Sequence, residues 1–119
     1  MKKILIIDDE TNLRETVAEL LEVFGFSVFE ANNGEEGLKK VQEVEPNLII
    51  CDIMMPVLDG YGFIEAHMKT VFSKIPVLLL SAKVEKNDKE KGLNLGAKDY
   101  ISKPFVFTEL KRIVDFYTQ

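Results

Sequence analysis

Four polar groups in this chain follow short apolar runs. Asp8-Asp9-Glu10 follows Ile4-Leu5-Ile6-Ile7, and Asp52 follows Leu48-Ile49-Ile50-Cys51. Ser81 follows Val77 to Leu80, and Ser102-Lys103-Pro104 follows Tyr100-Ile101. If these groups met in space, Asp8, Asp9 and Asp52 would repel one another and at least one pKa would rise. Such a cluster needs cations. Lys103 is one and a divalent metal is the other. Oxygen donors from carboxylates, a main-chain carbonyl and water suit Mg²⁺, which keeps several waters and favours phosphate oxygens as co-ligands. A carboxylate neutralised in this way is an adequate nucleophile toward an activated phosphoryl donor. Phosphoryl transfer then asks mainly for alignment and for stabilisation of the equatorial oxygens. Each feature also has a plainer reading: Asp8 to Glu10 could cap a helix and Asp52 a loop. What favours chemistry is that all four fall at the same kind of place.

That place is set by the pattern of elements. Ile4-Leu5-Ile6-Ile7 is a short, continuous run of branched apolar residues, as in a strand buried on both faces; Leu48 to Cys51, Val77 to Leu80 and the short Tyr100-Ile101 read as further strands. Phe26 to Ala31 is less apolar, with Ser27 and Glu30, and reads as an edge strand. Helical stripes alternate with the strands. The first has Leu13, Val17, Leu20, Leu21 and Phe24, stopped by Gly25. The second has Gly37, Leu38, Val41 and Val44 after an Asn33-Gly34 turn, and Pro46 ends it. The third has Phe63, Ile64, His67, Met68 and Val71, after a loop punctuated by Pro56 and Gly60. The fourth, over residues 84–96, is the weakest. Only Leu93 and Leu95 give it an apolar face, and Gly92 costs roughly 1 kcal/mol against alanine in a helix interior. The last has Leu110, Ile113, Val114 and Tyr117. Five strands alternating with five helices imply a doubly wound parallel sheet with right-handed crossovers. In such a sheet the carboxyl ends of the strands share one rim, where ligands bind.

Composition narrows the class. At 119 residues the chain fits one domain, with 46% hydrophobic and 29% charged residues, which argues against disorder. No apolar run is long enough to span a bilayer, and the run after Met1-Lys2-Lys3 is too short for a secretory leader. The one cysteine, Cys51, has no partner for an internal disulfide, and the expected compartment is the cytoplasm. The net charge is −5, with 5 basic and 13 acidic side chains in residues 1–59 and 10 basic and 7 acidic in residues 60–119. An acidic chain lacks the cationic footprint for direct nucleic-acid binding. His67 has no second His or Cys with which to share a metal and reads as a helix-face residue.

Asp8-Asp9, the segment Cys51-Asp52-Ile53-Met54-Met55-Pro56-Val57-Leu58-Asp59-Gly60, Ser81-Ala82, Gly96-Ala97-Lys98-Asp99-Tyr100 and Lys103-Pro104-Phe105 resemble the receiver domain of two-component response regulators. The likeness runs from Lys3 to about Tyr117. It implies one receiver domain over residues 1–119, with a flavodoxin-like (βα)5 fold in strand order 2-1-3-4-5.

The resemblance also implies roles. Asp52 is the phosphoacceptor. Asp9, Asp52 and the Met54 main-chain carbonyl hold Mg²⁺, with Asp8 acting partly through water. Lys103 pairs with Asp52 and later with the phosphoryl group. Ser81 bonds a phosphoryl oxygen, and Tyr100 stands at the aromatic switch position. As Ser81 moves toward the new oxygens, the Tyr100 ring is expected to enter the space it leaves, shifting the surface of the fourth helix, fifth strand and fifth helix. Met54 and Lys83 border the phosphoryl group and tune its hydrolysis. Lys103-Pro104 is a cis peptide. The implied partners are a histidine kinase or phosphotransfer protein and an output protein or covalently linked output domain. The domain is then a regulatory switch that catalyses only its own phosphorylation and dephosphorylation. Two other readings stand beside it: a phosphorylation-independent interaction module, and a true aspartyl-phosphate hydrolase. The second would want an acid two positions after the nucleophile, where Met54 stands.

Overall fold

The computed structural model describes residues 1–82 and 86–119. Its elements are β1 (Lys3–Ile7), α1 (Thr11–Val23), β2 (Ser27–Ala31), α2 (Gly34–Val44), β3 (Leu48–Asp52), α3 (Gly60–His67), β4 (Val77–Ser81), α4 (Lys86–Leu95), β5 (Asp99–Ser102) and α5 (Phe107–Tyr117). The strands form one sheet in the order β2-β1-β3-β4-β5, and every pairing is parallel. The expected topology and the edge position of β2 are both present.

Alternation along each strand sends side chains to opposite faces, and both faces are covered. Ile4, Ile6, Leu48, Ile50, Leu78, Leu80 and Ile101 pack with Val17 and Leu21 of α1 and with Leu110 and Val114 of α5. Leu5, Ile7, Ile49, Cys51, Val77, Leu79 and Tyr100 pack with Val41 of α2 and with Phe63 and Ile64 of α3. Two-sided burial is why β1, β3 and β4 read as unbroken apolar runs.

Local chemistry differs from the sequence reading at several points. Asn33-Gly34 is not a free turn. The Asn33 side chain accepts the Glu36 N–H at 2.9 Å and caps α2, which Gly34 begins. Gly60 likewise begins α3, capped by Asp59 through the Gly62 N–H at 2.8 Å. A side-chain cap on the residue before each glycine converts an apparent loop into a helix start. Val71 lies beyond the end of α3 and is 91% exposed, and Leu20 and Phe24 face solvent on or just beyond α1. His67 is fully buried, with Nε2 3.0 Å from the Ile75 carbonyl. In α4 the buried position is Gly92, while Leu93 is exposed. Gly25, at φ +95°, does terminate α1, and Lys103-Pro104 is cis.

Candidate functional site

Parallel pairing puts the carboxyl ends of β1, β3, β4 and β5 on one rim, and the polar groups arrive there together. Ligand oxygens of Asp8, Asp9 and Asp52 all lie within 4.8 Å of one another. Asp8 and Asp52 are buried, whereas Asp9, one residue further along, is exposed. Lys103, just beyond β5, reaches back across the rim. Its Nζ is 3.2 Å from Asp8 Oδ2, 3.5 Å from Asp52 Oδ2 and 3.7 Å from Glu10 Oε1.

The electrostatics follow from that crowding. The Asp52 carboxyl is pushed from 3.8 up to about 6, first by burial and then by the Asp8 charge. Lys103 and the Ile53 N–H, which donates to Asp52 Oδ1 at 2.8 Å, pull it back only in part. Burial also works against the Lys103 ammonium, but the charges of Asp52 and Asp8 outweigh it and raise the Lys103 pKa. The cluster holds more negative charge than one lysine neutralises. All its free donors are hard oxygens, which fits Mg²⁺ and does not fit a soft metal.

Ser81 is fully buried at the end of β4. Its side chain is hydrogen-bonded to that of Tyr100 on the neighbouring strand. The Tyr100 ring is itself only 6% exposed. The ring therefore does not wait outside for Ser81 to move. It is already packed on the sheet with Leu79 and Tyr61.

Met54 is 60% exposed and lines a shallow depression with Asp9, Met55, Pro56 and Asp59. Lys83 lies outside the described residues. Within the loop, the Leu58 N–H donates to the Pro56 carbonyl at 2.8 Å. Val57 between them has φ 70°. This is a γ-turn of the strained hand, and a β-branched residue there is a genuine outlier. Sequence reasoning missed it, because valine carries no turn signal. It also missed Arg14, a buried cation on α1 whose Nη1 donates to the Asp8 carbonyl at 2.7 Å.

Residues 4–115 match the family of the response regulator receiver domain. The chain belongs to that family. Among curated relatives, the receiver domain is 43% identical over 110 residues to a protein named "Probable transcriptional regulator ycf27" from Porphyridium aerugineum, covering 92% of this chain and 45% of that one. It is 44% identical over 106 residues to the alkaline phosphatase synthesis transcriptional regulatory protein PhoP of Bacillus subtilis, covering 87% of this chain and 43% of PhoP. The receiver domain thus spans less than half the length of these relatives. Among solved structures, the chemotaxis protein CheY4 of Vibrio cholerae superposes with a TM-score of 0.91 at 31% identity, covering 98% of each chain. The receiver domain of the Francisella response regulator 1452 superposes at 0.93 with 30% identity, covering 99% of this chain and 97% of that one. Among the described residues of this receiver domain, no helix is long and apolar enough to cross a membrane.

Proposed function

We propose that this receiver domain is a phosphorylation-dependent switch in which Asp52 accepts a phosphoryl group from a histidine kinase or phosphotransfer protein. One observation carries the reading: the Asp52 carboxylate is buried at the rim, clustered with Asp8 and Asp9, and lies 3.5 Å from the Lys103 ammonium. An Asp52 oxygen attacks phosphorus, an O–P bond forms, and the bond from phosphorus to the donor nitrogen breaks as the imidazole leaves. Lys103 follows the charge from the carboxylate to the phosphoryl oxygens, and Ser81 donates its hydroxyl to another. Asp9, Asp52 and the Met54 main-chain carbonyl would hold Mg²⁺, with Asp8 partly through water. Bound there, the ion neutralises charge on carboxylate and phosphoryl oxygens.

The product adds roughly 1.5 to 2 negative charges, by analogy with other phosphorylated side chains, at a site already rich in acids. Ser81 is drawn toward the new oxygens, its bond to Tyr100 is lost, and the surface of α4, β5 and α5 changes. Met54 and Lys83 set how fast water removes the group. The relatives named as transcriptional regulators suggest that the output is transcriptional and is delivered by another domain or protein, not by nucleic-acid binding of this acidic domain. The setting is cytoplasmic.

Incubation with Mg²⁺ and a small phosphodonor such as acetyl phosphate, followed by intact-mass measurement, tests the reading. A single phosphoryl adduct that is absent from the Asp52→Asn variant supports it. Rapid donor turnover without an adduct would point to a hydrolase, and absence of both to a passive interaction module. Hydrogen exchange of the adduct should change chiefly in residues 81–105, and a change confined to the loop around Asp52 would remove the output surface from the proposal.

A further inference from the structure

Arg14 is 8% exposed, and the phosphoryl chemistry above makes no use of it. A buried guanidinium is costly unless its donors are satisfied. Here Nη1 donates to the Asp8 carbonyl at 2.7 Å, and Nε donates to Glu30 Oε1 on the edge strand β2 at 2.9 Å. Both are charge-assisted bonds made by one planar fork, a geometry that lysine cannot copy.

These bonds fix the turn at Asp8. The Asp8 N–H donates to the Ala31 carbonyl at 3.1 Å. Asp8 Oδ1 accepts the Glu10 N–H at 2.9 Å, which closes an Asx turn. Asp8 Oδ2 accepts from Lys103. Every polar atom of Asp8 is therefore held. Asp9, at the apex of the same turn, is the opposite case. It is exposed, and among the described residues no hydrogen bond or ion pair holds its carboxylate. What aims Asp9 at Asp52 is the turn on which it rides.

We infer that Arg14, oriented by Glu30, is a positioning residue for Mg²⁺ at this site: by holding the Asp8 carbonyl it fixes the turn that presents Asp9. The inference rests on the metal reading proposed above. Its sign separates it from a simple field effect. As a charge alone, Arg14 repels a divalent cation, so removing it should tighten Mg²⁺ binding. As a positioning group, its removal should weaken binding.

Calorimetric titration of the whole chain with Mg²⁺, with urea unfolding run in parallel, decides between them. Arg14→Met keeps the apolar stem and drops both bonds, and it should bind Mg²⁺ about tenfold more weakly, as is typical when groups supporting metal ligands are lost. Arg14→Lys keeps the charge and one donor and should fall between Arg14→Met and the native chain. Val17→Ala, buried on the same helix, should lower stability yet leave Mg²⁺ affinity unchanged, which controls for general loosening. Unchanged or tighter binding in Arg14→Met overturns the inference. If that variant does not fold, unchanged affinity in Arg14→Lys overturns it instead. A native chain that takes up no Mg²⁺ defeats the metal reading itself, whereas equal affinity in native chain and variants defeats only the role of Arg14.

Discussion

Lys103 Nζ stands 3.5 Å from Asp52 Oδ2, yet the Asp52 carboxyl still titrates at about 6. Burial and the Asp8 charge win over the lysine. Because the folded value lies above the ordinary 3.8, the folded chain binds this proton more readily than the unfolded chain. The associated stability is fully present below about pH 4 and is lost as pH rises through about 6. Asp52→Asn should therefore raise the stability of the metal-free chain by about 3 kcal/mol above about pH 7 and add little below about pH 4. Thermal melts of both proteins across pH check the difference curve. A flat difference would mean that Asp52 is not strained by its neighbours.

Asp9 offers a cleaner separation of binding from folding. It is exposed and belongs to the acidic cluster, so Asp9→Ala removes a proposed metal ligand and a repulsion together. Mg²⁺ affinity and phosphorylation should fall sharply while the melting temperature stays level or rises. Fluorescence titration and thermal melting measure the two effects, and unchanged Mg²⁺ affinity would take Asp9 out of the metal site.

The exposed Met54 thioether is a weak hydrogen-bond acceptor and cannot orient an attacking water as an amide can. Met54→Asn should lose its phosphoryl group several-fold faster than the native chain, a change of about 1 kcal/mol in barrier. Decay of the isolated phosphorylated proteins, followed by intact mass, gives the ratio directly.

Gly92 is more than a weak point in α4. A methyl group there would collide with Leu79 Cδ1, and Leu79 is fully buried on β4. Gly92→Ala gains roughly 1 kcal/mol of helix propensity but overpacks the interface, which typically costs about 1–3 kcal/mol. Net destabilisation in urea, partly relieved by a second change Leu79→Val, is the expected result. A stabilised single variant would show that α4 sits loosely on the sheet.

The legible parts of this chain were those written in local pattern. Two-sided burial marks β1, β3 and β4 as continuous apolar runs, and each run ends in the polar residue it delivers to the rim, so Asp8, Asp52 and Ser81 could be placed before any contact was seen. Arg14 could not. In sequence it is one charged residue beside the Leu13, Val17 and Leu21 stripe of α1, and only the approach of Glu30 on β2 and the Asp8 carbonyl shows why it is buried. Asn33 and Asp59 looked like loop residues because a cap differs from a turn only in the bond its side chain makes. Gly92 read only as a cost to the helix because close approach to Leu79 is a property of the packed pair. Tyr100 was placed correctly on β5, but no pattern tells whether such a ring points in or out.

The Asp8–Lys103 pair joins residues 95 positions apart, and Asp52 lies between them in sequence. No stretch shorter than residues 8–103 contains the whole site. Parallel strands also form late, because each pairing must close a long loop before any contact rewards it. A chain with β1 to β4 in place but β5 unpaired would hold its acids without their lysine. On the function proposed above, competence for phosphoryl transfer would be withheld until β5, which brings Lys103, has docked. On that reading the chemistry itself would act as a check on folding, and a misassembled copy would carry no signal.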